Sequence, residues 1–214
     1  MVPNVTIIDY GVGNLLSVKR AFEYLGAKVI ISSDPNVIMS SKRVVLPGVG
    51  AFPNGMKALK NLGLDEIIMQ VAYRDIKLFA ICLGMQLLMD EGDEFEKTSG
   101  LGLIPGRVVA IPEYSTDGIR QNIPHIGWNK IEPRITDQSW TGTVLTDSQP
   151  GDFVYFVHSF MVEPMNRENI IANTFYGGRK IPAVISHKNI TGCQFHPEKS
   201  GRKGLTIMEK FLGV

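Results

Sequence analysis

Two short strings could do chemistry together. The first is Phe79-Ala80-Ile81-Cys82-Leu83-Gly84-Met85-Gln86. A buried apolar strand runs into Cys82, and a helical pattern (Met85, Leu88, Met89) begins directly after it. A nucleophile on such a strand-to-helix turn is exposed for attack, and small residues on either side, here Ala80 and Gly84, let strand and helix approach. A helix N-terminus also favours a thiolate. The second string is Gln194-Phe195-His196-Pro197-Glu198-Lys199-Ser200, where Glu198 is placed to orient one ring nitrogen of His196 and leave the other for a thiol. Each string also has a plain reading. Cys82 is then a small buried apolar residue and His196-Pro197-Glu198 a surface turn.

A third string, Pro47-Gly48-Val49-Gly50-Ala51-Phe52, follows another buried strand. Backbone amides in such a turn can face an oxyanion, or the string is simply a strand-to-loop turn. It is not a nucleotide signal. Gly11-Val12-Gly13 starts like a dinucleotide fingerprint, but Leu16 stands at the third glycine, and no phosphate-loop Gly-Lys-Ser/Thr occurs.

The elements that must position these strings are legible as an α/β alternation. Val5–Asp9, Lys28–Ile31, Arg43–Leu46 and Ile76–Ile81 are nearly continuous apolar runs, as in strands buried on both faces of a parallel sheet. Leu15, Val18, Ala21, Phe22 and Leu25 share a helical face before Gly26, and Leu64, Ile67, Ile68 and Val71 share another. The first half therefore reads strand, helix, strand, strand, helix, strand with right-handed crossovers. The second half predicts more strands: Arg107–Ile111, Phe153–Val157, Ile170–Phe175, Ala183–His187 and Ile190–Phe195. The last two form a hairpin turning near Lys188-Asn189. A final helix buries Leu205, Met208, Phe211 and Leu212. The polar stretches 113–122 and 132–150 are expected as surface loops of one domain spanning 1–214.

Composition narrows the function class. The 214 residues carry 22 Lys and Arg against 21 Asp and Glu, a net charge of +1, which argues against phosphate-neutralising nucleic-acid binding. No apolar run reaches membrane-spanning length. Met1–Thr6 lacks the basic and small-residue features of an export leader, and two cysteines make neither a disulfide framework nor a zinc pair. The expectation is a cytoplasmic protein with no metal, no cofactor and no membrane partner.

The Cys elbow with a late His-Pro-Glu resembles the class I (triad) glutamine amidotransferases. Further strings resemble the glutaminase subunits of imidazole glycerol phosphate synthases in particular: Ile8-Asp9-Tyr10-Gly11-Val12-Gly13-Asn14-Leu15, Leu46–Phe52, Ile123-Pro124-His125-Ile126-Gly127-Trp128-Asn129, Tyr155–Ser159 and His196–Ser200. The resemblance runs from about residue 5 to the C-terminus. It implies a flavodoxin-like, mostly parallel sheet flanked by helices, with extra antiparallel strands in the second half. It implies Cys82 as nucleophile, His196 as base and Glu198 as orienter, with oxyanion amides from Val49 and Leu83. Substrate glutamine would meet Gly48, Gly50, Gln86, Glu94, His158, Ser159 and Phe160. Asn14, Trp128 and Lys199 would face a (β/α)₈-barrel cyclase in a heterodimer that receives ammonia for histidine biosynthesis.

Three positions depart from the family pattern. Ala80 stands where Gly is usual, Phe160 where Tyr is usual, and Gly92-Asp93-Glu94 where Ser-Glu-Glu is usual. They leave two further readings open: a paralogue supplying ammonia to a surface-sugar amidotransferase, and an inactive regulatory partner.

Overall fold

The apolar runs form strands because β-branched residues suit a pleated surface, and turn residues end each run. A computed structural model describes residues 4–213. The leader question at Met1–Pro3 lies outside the described residues. The chain runs β1 (Asn4–Ile8), α1 (Leu15–Tyr24), β2 (Lys28–Ser32), α2 (Pro35–Met39), β3 (Arg43–Leu46), α3 (Phe52–Asn61), α4 (Leu64–Tyr73) and β4 (Lys77–Ile81). Next come α5 (Leu83–Leu87), β5 (Glu91–Gly92), β6 (Thr98–Ser99), β7 (Gly106–Ala110), β8 (His125–Lys130) and β9 (Glu132–Pro133). It continues through β10 (Phe153–His158), β11 (Phe160–Pro164), β12 (Ile170–Tyr176), β13 (Arg179–His187), β14 (Ile190–Cys193) and α6 (Gly201–Leu212).

The main sheet has the order β2-β1-β3-β4-β14-β13-β12-β9. The first five strands are mutually parallel and the last three are antiparallel. The chain steps from β1 outward to β2, then back across to β3. Ligands in open α/β sheets bind outside the carboxyl ends of strands near such a reversal. Parallel pairing puts the loops after β1, β3, β4 and β14 at that one edge. These loops hold Asp9–Asn14, Pro47–Ala51, Cys82 and Gln194–His196.

Alternation along the strands divides the core in two. Val45 and Phe79 join Val18 and Phe22 of α1 and Ile207 and Phe211 of α6. Val44, Leu46, Leu78 and Ala80 join Ile38 of α2, Met56 and Leu59 of α3 and Ile68 of α4. At about 25 cal/mol per Å² of apolar surface removed from water, these two layers supply the main force for folding.

The first half carries two helices beyond those read from the sequence. In α2, Asp34 accepts the amide hydrogen of Asn36 at 2.8 Å and Pro35 opens the first turn. In α3, Phe52, Met56 and Leu59 form an inward stripe behind the Gly-rich string. The stretch 132–150 is not simply a surface loop. Trp140 and Leu145 are buried, and Trp140 Nε1 donates to the Ile171 carbonyl at 3.1 Å. The hairpin of β13 and β14 turns at Lys188, whose φ is +52°. Strands β5, β6, β8, β9 and β11 are additional to the reading.

Candidate active site

Cys82 sits between β4 and α5 with φ +53° and ψ −111°, a conformation costly for a residue with a side chain. Its amide donates to the Cys193 carbonyl at 2.8 Å, tying the turn to β14. A Cβ on Gly84 would lie 2.0 Å from the Leu46 carbonyl oxygen, so only glycine fits this crossing. Ala80 lies between Leu46 and Gly192 in the sheet and buries its methyl in the helix-covered core. The tight approach thus depends on Gly84, and Ala80 is compatible with it. At five residues α5 is short, so the charge beside Cys82 comes less from a helix dipole than from His196.

His196 Nδ1 is 2.9 Å from Glu198 Oε1, and both side chains are almost fully buried. Backbone ties fix the ring's base: His196 N donates to the Tyr155 carbonyl, and Ser200 Oγ donates to the His196 carbonyl at 2.7 Å. Burial works against a charged imidazole here, but Cys82 and Glu198 outweigh it and push His196 up to about 10. Its Nε2, on the side of the ring away from Glu198, is buried and has no hydrogen bond of good geometry among the described residues.

A cavity of about 430 Å³ lies at this edge, within the usual size for small-ligand sites. Cys82 and His196 line it together with Val49, Gly50, Leu83, Gln86, Glu94, His158, Ser159 and Phe160. Gly48 stands just behind, where a Cβ would meet the Tyr10 hydroxyl at 2.5 Å. Glu94 Oε2 accepts the Phe52 amide hydrogen at 2.7 Å. Gln86 Nε2 donates to the Phe160 carbonyl and to Gln194 Oε1, each at 3.1 Å. The polar contact at position 160 is therefore a backbone carbonyl, which the Phe side chain leaves intact. Gly92 lies under the Phe52 ring, 2.8 Å from where a Cβ would be, which explains its small side chain. A larger groove of about 990 Å³, walled by Arg107, Arg134, Glu163 and Lys180, is lined by no Cys, Ser, Thr or His among the described residues.

The two expected oxyanion donors are near each other but not both open. The Leu83 amide donates to the Gly48 carbonyl at 3.3 Å. Tyr10 Oη donates to the adjacent Pro47 carbonyl at 2.7 Å, and burial raises the Tyr10 hydroxyl well above its ordinary range. Of the residues expected to face a partner, Trp128 is 55% exposed and therefore not core. Lys199 is exposed and Asn14 half-buried.

Sequence reasoning did not single out three residues of this region. Gln194 Nε2 donates to Cys82 Sγ at 3.7 Å. Tyr10 anchors the Pro47 carbonyl, and buried His125 contacts His158. Tyr10 and His125 lie inside strings that carried the resemblance, but only tertiary contact gives them a task. Among the described residues no group of three or more His, Cys, Asp or Glu could hold a metal ion, and no helix is long and apolar enough to cross a membrane.

The family described as Glutamine amidotransferase class-I matches residues 6–213. The chain is 49% identical over 211 residues to "Imidazole glycerol phosphate synthase subunit HisH 1" of Legionella pneumophila (strain Lens), covering 99% of each. It is 42% identical over 210 residues to the HisH subunit of Geobacillus sp. (strain WCH70), covering 98% of this chain and 96% of that one. The fold is also that of solved structures at low identity. One is a glutamine amidotransferase crystal structure (TM-score 0.72, 16% identity, 98% and 99% covered). Another is PurLQS from Thermotoga maritima (TM-score 0.71, 18% identity, 100% and 99% covered). On the full-length match and the identity to these subunits, the chain belongs to the class-I glutamine amidotransferases, among the HisH subunits of imidazole glycerol phosphate synthase.

Proposed function

We propose that this chain, as one domain, hydrolyses glutamine to glutamate and delivers the ammonia to a (β/α)₈-barrel cyclase making imidazole glycerol phosphate and AICAR in the cytoplasmic histidine pathway. The observation that carries this reading is Cys82 and His196 lining one cavity, with Glu198 on the far nitrogen of His196. Cys82 Sγ attacks the side-chain amide carbon of glutamine. Amides of Val49 and Leu83 stabilise the oxyanion, and His196 gives its Nε2 proton to the departing ammonia. His196 then takes a proton from water, whose oxygen attacks the thioester and releases glutamate with the Cys82 sulfur restored. Gly48, Gly50, Gln86, Glu94 and residues His158–Phe160 hold the substrate. An anionic Glu94 suits its ammonium group.

Asn14, Trp128 and Lys199 face the barrel subunit. The Leu83–Gly48 bond supports weak hydrolysis without that subunit, since the Pro47–Gly50 strand must rearrange before both donors are available. The relatives' names favour this pathway over the surface-sugar alternative, and the triad's side chains argue against an inactive partner. The test is glutamine hydrolysis by the purified chain, alone and with the cyclase and its ribonucleotide substrate. Strong stimulation is expected. Cys82→Ala should abolish glutamine-dependent turnover and spare ammonia-dependent turnover by the partner. Glutaminase activity surviving in Cys82→Ala would sink the assignment.

A further inference from the structure

The chemistry above leaves one buried histidine unused, His125, which pairs with His158 of the substrate wall. Strand β8 is two-faced. Ile126, Trp128 and Lys130 point to solvent, while His125 is 3% exposed and faces inward. Its partner across the β8–β10 ribbon is His158, 5% exposed. His125 Nδ1 lies 3.1 Å from His158 Nε2. His158 Nδ1 lies 2.8 Å from the Phe160 carbonyl oxygen. At the other end, Asn129 Nδ2 lies 3.4 Å from His125 Nε2 and donates to the Phe175 carbonyl at 2.7 Å.

The two ends fix every proton in this chain. A carbonyl only accepts, so His158 carries its hydrogen on Nδ1, and the neutral ring then accepts at Nε2. The donor it faces is His125 Nδ1–H, which leaves His125 Nε2 as acceptor. The Asn129 amide supplies the matching donor. Burial pushes both imidazoles down to about 4, so neither ring is charged near neutral pH. His125 is further fixed by stacking, with ring centroids 4.1 Å from Tyr176 and 5.0 Å from Phe156.

The relay ends on a carbonyl that matters to the site. The Phe160 oxygen that accepts from His158 also accepts from Gln86 Nε2 at 3.1 Å. Gln86 Nε2 reaches Gln194 Oε1 at 3.1 Å, and Gln194 Nε2 reaches Cys82 Sγ at 3.7 Å. We propose that His125 is a positioning residue of the glutamine site: through His158 it fixes the Phe160 carbonyl, and thereby the Gln86 amide and the wall formed by residues 158–160. The inference rests on the reading that this wall and Gln86 hold glutamine.

Two variants test it in the full chain with the barrel subunit present. His125→Phe keeps a ring between Phe156 and Tyr176 but deletes the donor. A roughly tenfold rise in KM for glutamine is expected, with kcat within about twofold, because a hydrogen bond positioning the bound substrate is lost. His125→Asn puts an amide N–H near the old Nδ1 and should restore much of the KM. Imidazole ¹⁵N spectra of the unmodified chain should show both rings neutral and protonated on Nδ1, a readout independent of activity. An unchanged KM in His125→Phe, or a His158 ring protonated on Nε2, overturns the proposal. Absence of any hydrolysis by the unmodified chain would sink the glutaminase reading instead, and the spectra would still decide the relay.

Discussion

The carbonyl of Gly48 accepts the amide hydrogen of Leu83 at 3.3 Å. That carbonyl shares a peptide unit with the Val49 amide, and in a trans peptide the two point in opposite directions. With Gly48 oxygen on Leu83, the Val49 N–H points away from the Leu83 amide. Rotation of this one unit would release the Leu83 amide and turn the Val49 N–H to its side, making both of the amides proposed as oxyanion donors available. The Tyr10 hydroxyl, on the neighbouring Pro47 carbonyl at 2.7 Å, is placed to restrain that rotation.

Tyr10→Phe should therefore loosen the strand. Hydrolysis without the barrel subunit is expected to rise about threefold or more, as the open arrangement becomes more populated. The rate with saturating partner should stay near the unmodified value. The Pro47 carbonyl loses its buried partner, so stability should fall by about 1–3 kcal/mol. Glutamate release with and without the barrel measures both rates, and a parallel fall in the two would contradict the restraint.

Glu198→Gln tests the charge on His196. The folded chain keeps the His196 proton up to about pH 10, against an ordinary 6.5. Below 6.5 both folded and unfolded states bind it. Between these values only the folded state does, so the stability it contributes is lost as pH rises through that window. Without the Glu198 carboxylate this decline should flatten. Buried Cys193, whose thiol is pushed up first by burial and then by the Glu198 charge, adds an alkaline loss that the substitution also lessens. Urea midpoints from about pH 7 to about pH 10 in the two chains give the difference, and equal slopes would refute the assignment.

The elbow offers a contrast between two small residues. Ala80→Gly removes a buried methyl and adds backbone freedom in a strand, and should cost about 1–2 kcal/mol. Glutamine turnover should stay within about threefold, since Gly84 sets the approach. Gly84→Ala meets the Leu46 carbonyl at 2.0 Å and must displace the Cys82 turn. It should cost about 1–3 kcal/mol or more and most of the activity. Thermal melts and turnover read both, and a faster Ala80→Gly enzyme would show that the methyl obstructs the elbow.

The parts of the site fixed by local sequence were legible, and those fixed by distant contact were not. Cys82 announced itself because an apolar run, two small residues and a helical stripe are adjacent. Helix α1 was legible from Val18, Ala21 and Phe22 on one face. Helix α3 is poorly legible because Pro53 and Gly55 interrupt its first turns, although Phe52, Met56 and Leu59 share a face. Tyr10 and Pro47 are 37 positions apart, and His125 and His158 are 33 apart. No spacing rule links such residues. The β-pairing that brings them together is non-local.

Trp128→Ala separates surface from core. The side chain is 55% exposed and meets Tyr155 edge-on at 6.1 Å between ring centroids. Truncating an exposed ring should change stability by no more than about 0.5 kcal/mol. Exposed tryptophans are enriched among the residues that dominate protein–protein affinity, so with Trp128 in the proposed interface, binding to the proposed barrel subunit should weaken about tenfold or more. The inward face of β8, with His125 and Asn129, is untouched, so KM for glutamine in the saturated complex should not move. Titration calorimetry against the barrel and a urea melt of the free chain measure the two effects. A large loss of stability with unchanged binding would place Trp128 in the structure of β8 rather than in the interface.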